Sequence, residues 1–109
     1  MRENLVKDNI IITSALPYAN GEIHLGHIVS TYLPADILSR FYRLLGKNVV
    51  FTCASDDFGT PILLQSEKQN ITPQKYVEYW RERDLKDFTD LGIILDIGWR
   101  RSLFKEAKD

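Results

Sequence analysis

Between Asn9 and Ala15 the chain reads Asn9-Ile10-Ile11-Ile12-Thr13-Ser14-Ala15, a β-branched run with no alternation of apolar and polar residues. A run of this length and character suits a strand buried on both faces, as in a parallel sheet covered by helices. Parallel neighbours need a long crossover, and one follows. After a loop at residues 16–23, apolar residues recur at Leu25, Val29, Leu33, Ile37, Phe41 and Leu44, the period of a helix. The spacing predicts a helix from about Leu25 to Leu45, with Gly46 as its left-handed terminus and Arg40 and Arg43 near its negative end. Pro34 has no N–H for the Ser30 carbonyl, so a kink is expected there.

Val49-Val50-Phe51-Thr52-Cys53 is the second strand, and the strand–helix–strand unit is expected to be parallel and right-handed. The loops at 16–23 and 54–61 then leave neighbouring strands at their carboxyl ends, where open α/β sheets place ligands. A short helix is expected from Pro61 to Gln69. Thr72-Pro73 is a start signal for a longer one, ending at about Leu91 before Gly92. Val77, Trp80, Phe88 and Leu91 mark its apolar side, with Tyr76 and Leu85 at the margins. Lys75, Glu78, Arg81, Glu82, Lys86, Asp87 and Asp90 read as a solvated charged face. Ile93-Ile94-Leu95-Asp96-Ile97 is expected to be a third strand, and residues 99–109 a separate, divergent tail after an α/β unit at 1–98.

The 109 residues suit one domain, and 44% apolar residues support a modest core. Fourteen basic residues against fifteen acidic ones give a net charge of −1, so nothing pulls the whole chain toward nucleic acid. Cys53 is the sole cysteine. It can form neither an internal disulfide nor a cysteine cluster for zinc, and it favours a reducing compartment. No apolar stretch has signal-peptide or membrane-spanning length, so a cytoplasmic location is expected.

The loop and helix start carry the chemistry. The first backbone N–H groups of a helix are unpaired and sit at its positive end, which attracts anions. His24 and His27, three residues apart at that start, fall on one face and can hold one anion together. Two imidazoles there suit a polyphosphate whose charge grows on the transferring phosphoryl group. A single histidine in this place more often caps the helix or stands exposed. Gly26 removes a side chain where a base or phosphate would approach, and Asn20-Gly21 is a turn dipeptide. Gly-x-x-x-x-Gly-Lys-Ser/Thr and Gly-x-Gly-x-x-Gly loops do not occur, which disfavours P-loop and dinucleotide sites.

His24-Leu25-Gly26-His27 resembles the "HIGH" signature of class I aminoacyl-tRNA synthetases. Ala15-Leu16-Pro17-Tyr18-Ala19-Asn20-Gly21, Tyr32-Leu33-Pro34-Ala35-Asp36-Ile37 and Gly59-Thr60-Pro61-Ile62 are similar to the methionine-specific members of that class. The similarity runs from about Ile10 to Asp96, the first part of a much longer enzyme. It implies a Rossmann-like, HUP-type α/β half-domain, three layers with a short parallel sheet flanked by helices. It also implies an ATP-dependent methionine–tRNA ligase, with methionine, ATP accompanied by Mg2+, and the tRNA acceptor end as partners. His24, Gly26, His27, Asn20 and Gly21 would lie at the ATP site, with His24 and His27 catalytic. Leu16, Tyr18 and Asp56 would hold methionine, Tyr18 against its sulfur and Asp56 on its ammonium. Read from the residues alone, an aspartate in this place is more often a turn former with an exposed carboxylate.

The family usually carries His where Phe58 stands, and no lysine-rich signature loop or zinc cysteines occur in the sequence. Two further readings follow: a non-catalytic synthetase-like binding or regulatory module, and a small adenylyltransferase. An unpaired first strand is expected to drive self-association or pairing with a companion chain.

Overall fold

The computed structural model describes residues 8–98. Strand β1 (Asn9–Thr13) leads through the 14–24 loop to α1 (Leu25–His27), a π-helical turn (Ile28–Tyr32) and α2 (Leu33–Leu44). Strand β2 (Asn48–Cys53), α3 (Thr60–Lys68), α4 (Pro73–Asp90) and a two-residue β3 (Ile97–Gly98) follow. The sheet is parallel in the order β1-β2-β3, with Ile10 beside Val49, Ile12 beside Phe51 and Thr52 beside Ile97. This is the parallel α/β arrangement expected from the sequence. The expected separate tail at 99–109 lies outside the described residues.

The proline acts one turn earlier than a simple kink would place it. Pro34 sits in the first turn of α2, and the turn before it is widened so that the Leu33 N–H reaches back to the Ile28 carbonyl, five residues away. Ser30 donates its hydroxyl to the Gly26 carbonyl at 2.7 Å, occupying one acceptor in the loosened segment. Helix α4 begins as read, with the Thr72 hydroxyl accepting from the Lys75 N–H at 3.2 Å and Pro73 in the first turn.

One core forms on one face of the sheet. Ile12, Phe51 and Cys53 pack against Ile28, Tyr32, Phe88 and Ile93, and the Tyr32 and Phe88 rings lie 4.8 Å apart. The opposite face is open among the described residues, and Ile11 is 73% exposed. Burial on both faces, expected for β1, therefore holds for one. The apolar period of the long helix is also displaced from the core. Leu25, Val29, Ile37, Phe41 and Leu44 are exposed, Leu44 at 87%, whereas Ile28, Tyr32, Asp36 and Ser39 are buried. Leu33 alone of the stripe legible in the sequence packs against the core; the rest marks a face that nothing in the described chain covers.

The third strand is shorter than expected because side chains replace its ladder. The buried Asp36 carboxylate accepts from the Ile94 N–H at 3.1 Å and from Arg40 Nε at 2.7 Å. Asp96 Oδ2 accepts the Phe51 N–H at 2.7 Å, while the Asp96 N–H donates to the Phe51 carbonyl at 2.9 Å. Residues 93–96 are held beside β2 in this way, and strand geometry begins only at Ile97.

Beyond the sheet edge, the open faces carry no protecting charge on β1, so the chain is expected to self-associate in sedimentation. Ile11→Lys and Phe41→Glu should shift it toward monomer while changing unfolding free energy by no more than about 0.5 kcal/mol, as exposed positions do.

Candidate adenylation site

The 14–24 loop and the loop after β2 are stitched together where the strands end. The Ala19 N–H donates to the Asp56 carbonyl and the Asp56 N–H to the Pro17 carbonyl, both at 2.9 Å, so Tyr18 and Asp56 pair as a parallel bridge. Leu16, Tyr18, Asn20, Gly21, His27 and Tyr32 are among the residues lining a cavity of about 420 Å³ on the loop side. His24, Gly26 and Asp56 stand outside that lining. Of the residues singled out from the sequence, five therefore meet at the cavity and three lie around it.

His24 is the N-cap of α1, in extended conformation with φ −99° and ψ 167°, and its Nδ1 accepts the His27 N–H at 3.4 Å. The capping role open for a lone histidine is thus realised. The same conformation stacks the two imidazoles, with ring centroids 3.5 Å apart and planes 22° from parallel. Both histidines are exposed. A Cβ on Gly26 would come within 3.0 Å of His24 Cε1, so the missing side chain first makes room for the His24 ring. The result is a two-imidazole edge at a helix start, a pair of donors for an anion.

Asp56 is exposed, and its Oδ1 lies 3.5 Å from the Phe58 N–H. A carboxylate held this loosely is available to a cationic ligand group. Its neighbour Asp57 is turned inward, accepting from the Ser55 hydroxyl and paired at 3.8 Å with Arg81 of α4. Arg81 is accordingly not part of the solvated face expected for α4. The pair lies nearly buried and ties the Asp56 loop to that helix.

Gly59 matters for Tyr18. Its φ is +128°, and a Cβ there would meet the Tyr18 hydroxyl at 2.7 Å. The sequence had offered Gly59 only within a family-like stretch, with no sign of which side chain needs the space. Tyr76 was a margin residue of α4 by periodicity, yet it is buried and donates its hydroxyl to Asn20 Oδ1 at 2.8 Å. Arg83 of the same helix pairs with Glu22 at 3.0 Å.

Asp84 was invisible to pattern reading because an acidic residue within a charged helix reads as surface. It is fully buried, and neither carboxylate oxygen has a hydrogen-bond partner among the described residues. Burial, and then the nearby Asp87 carboxylate, push its pKa from 3.8 up to about 7. The Ile23 backbone N–H, which lies near without bonding, and Arg83 oppose this. Tyr32, which lines the cavity, is pushed up to about 12, chiefly by burial. Burial likewise raises the Cys53 thiol, keeping it protonated at neutral pH.

The sequence model of the family described as "tRNA synthetases class I (M)" matches residues 10–102. The chain belongs to the methionyl-tRNA synthetase family. Within this family, a methionine–tRNA ligase of Azoarcus sp. (strain BH72) is 49% identical over 87 residues, covering 80% of this chain and 12% of the relative. A methionine–tRNA ligase of Thermoplasma acidophilum is 42% identical over 96 residues, covering 88% and 18%. The fold is similar to that of the Mycobacterium tuberculosis methionyl-tRNA synthetase solved with methionyl-adenylate, with a TM-score of 0.79 and 22% identity, over 85% of this chain and 18% of that one. The chain thus spans less than a fifth of the length of these family members. Among the described residues no helix is long and apolar enough to cross a membrane.

Two outcomes follow from the geometry. Gly59→Ala is expected to lower unfolding free energy by about 1–2 kcal/mol, through strain at positive φ and overpacking. Part of that loss should return in the Gly59→Ala/Tyr18→Phe double variant, because the contact is with the hydroxyl, and chemical denaturation reads both. For Asp84, a folded pKa raised to about 7 means that the folded state keeps a proton which the unfolded state releases near pH 4. Stability therefore falls as pH rises from about 4 to about 7. Asp84→Asn should match the parent near pH 4 and exceed it above pH 7 by about 4 kcal/mol, the linkage cost of ionising a carboxyl whose folded pKa stands about three units above its unfolded one. Thermal melts across that pH range test this.

Proposed function

We propose that the chain is the amino-terminal half of a methionine–tRNA ligase catalytic domain, residues 1–98, binding MgATP and methionine for adenylate formation. The observation that carries this reading is the stacked His24/His27 pair at a helix start, beside a cavity lined by Leu16 and Tyr18 and stitched to the Asp56 loop. In the proposed reaction a methionine carboxylate oxygen forms a bond to the α-phosphorus of ATP, and the bond to the bridging oxygen breaks to release pyrophosphate. His24 and His27 donate to phosphate oxygens as charge builds up, with Gly26, Asn20 and Gly21 shaping the nucleotide side. Leu16 and Tyr18 take the thioether side chain, and the exposed Asp56 carboxylate takes the ammonium. Magnesium enters with the nucleotide as part of the substrate. Transfer to the tRNA(Met) acceptor end belongs to the whole ligase, in the cytoplasm.

A second reading, a synthetase-like module that binds without catalysing, is favoured by Phe58. This exposed ring stands where the family usually has a hydrogen-bonding histidine. Methionine-dependent ATP–pyrophosphate exchange separates the two. Only weak exchange is expected from the chain, and His24→Ala or His27→Ala should lower it about 10²-fold, the scale of losing one transition-state donor. Asp56→Asn should weaken methionine far more than ATP. A folded chain with no exchange, yet with measurable methionine binding, would establish the second reading instead.

A further inference from the structure

Helix α4 reaches the site loop through the buried Tyr76. The Tyr76 ring is packed with Ala19, Ile62 and Val77 in a second apolar cluster, and its hydroxyl donates to Asn20 Oδ1 at 2.8 Å across 56 residues of sequence. Ala19 is fully buried, so the backbone that carries Asn20 is fixed at its base. Asn20 is half-buried and lines the cavity together with Gly21 and His27.

A carboxamide has one acceptor end and one donor end, and the two exchange places when it flips. Here the Tyr76 hydroxyl donates to the oxygen, which leaves the NH2 end on the other side of the amide. We infer that Tyr76 is a positioning residue for the nucleotide end of the site: it holds the Asn20 carboxamide with its oxygen toward α4 and its Nδ2 group toward the cavity, as a donor to phosphate oxygens. This rests on the reading of the cavity as a nucleotide site and adds to it a residue that touches no substrate. With the amide reversed, the cavity would meet a polyphosphate with an acceptor oxygen beside His27, repelling the charge that the imidazoles attract. With Tyr76 bonded to the oxygen, the donor end is the one left for an anion at that wall of the cavity.

Tyr76→Phe removes the hydroxyl and keeps the ring in its apolar cluster. The test titrates the chain with ATP and with inorganic tripolyphosphate, following the Asn20 side-chain amide by nitrogen-15 NMR, and titrates methionine separately. In the parent, the Asn20 NH2 signals should move on adding either polyphosphate. In Tyr76→Phe they should move little, with both polyphosphates bound about 5- to 10-fold more weakly, the loss expected for one hydrogen bond, and with methionine affinity unchanged. A second variant, Asn20→Asp, keeps an oxygen for Tyr76 but puts a charged acceptor in place of the donor, and should lose polyphosphate binding by 10-fold or more. Equal weakening of methionine and polyphosphate would show a merely structural role for Tyr76 and overturn the inference. Polyphosphate binding that His24→Ala weakens while Tyr76→Phe and Asn20→Asp leave it intact would overturn this inference alone. A folded parent that binds no polyphosphate would overturn it together with the proposed function.

Discussion

Two backbone hydrogen bonds, Ala19 to Asp56 and Asp56 to Pro17, hold the site as one body. They continue the parallel pairing of β1 with β2 for one more step after both strands have ended, so two loops that emerge separately are locked in register at Tyr18 and Asp56. Because the lock is made of main chain, it is independent of the side chains on it. The tyrosine and the aspartate can serve a ligand while the bonds between their loops hold the spacing. The cavity, the histidine pair and the inward Asp57–Arg81 contact all inherit their positions from this lock.

Around it, α4 acts as a splint with unusual chemistry for an outer helix. Tyr76, Arg81, Arg83 and Asp84 all turn toward the site loops, two of them through ion pairs, one through a neutral hydrogen bond and one as an unpartnered acid. Polar groups are costly in such places unless satisfied; Tyr76 and Arg83 are hydrogen-bonded and Arg81 is charge-paired by residues of the loops they face. The fourth, Asp84, is relieved by holding its proton.

Much of this was legible in the chain. Local signals fixed the strands β1 and β2, the Thr72-Pro73 start and the glycine-terminated helices, because each depends on residues adjacent in sequence. The His-x-x-His spacing gave the shared face and, with it, the stacked pair. What sequence could not supply was the identity of partners across the fold. Arg81 read as solvent-facing because its charge said nothing of Asp57, and Tyr76 read as marginal core because its hydroxyl said nothing of Asn20. The helix stripe Leu25, Val29, Ile37, Phe41 and Leu44 is apolar as read, yet these residues stand exposed, since periodicity reports that a face is apolar and not what lies against it. The third strand failed for a related reason: the mostly apolar residues 93–97 were read as ladder, whereas the Asp36 and Asp96 carboxylates took over backbone donors.

The widened turn at Ile28–Tyr32 sets the angular phase between the two ends of the long helix. Each residue in a helix advances the side-chain direction by about 100°, and a π turn accommodates one residue more than an α turn over the same rise. Everything upstream of Pro34 is therefore rotated by roughly that angle relative to a uniform helix drawn back from Asp36 and Ser39, the residues that fix α2 in the core. In an uninterrupted helix anchored by the same two residues, His24 and His27 would point elsewhere, with no change in their sequence spacing. The proline and its π turn work as an indexing device, setting the direction of the histidine pair, with His27 on the cavity wall, while the body of the helix stays packed on the sheet.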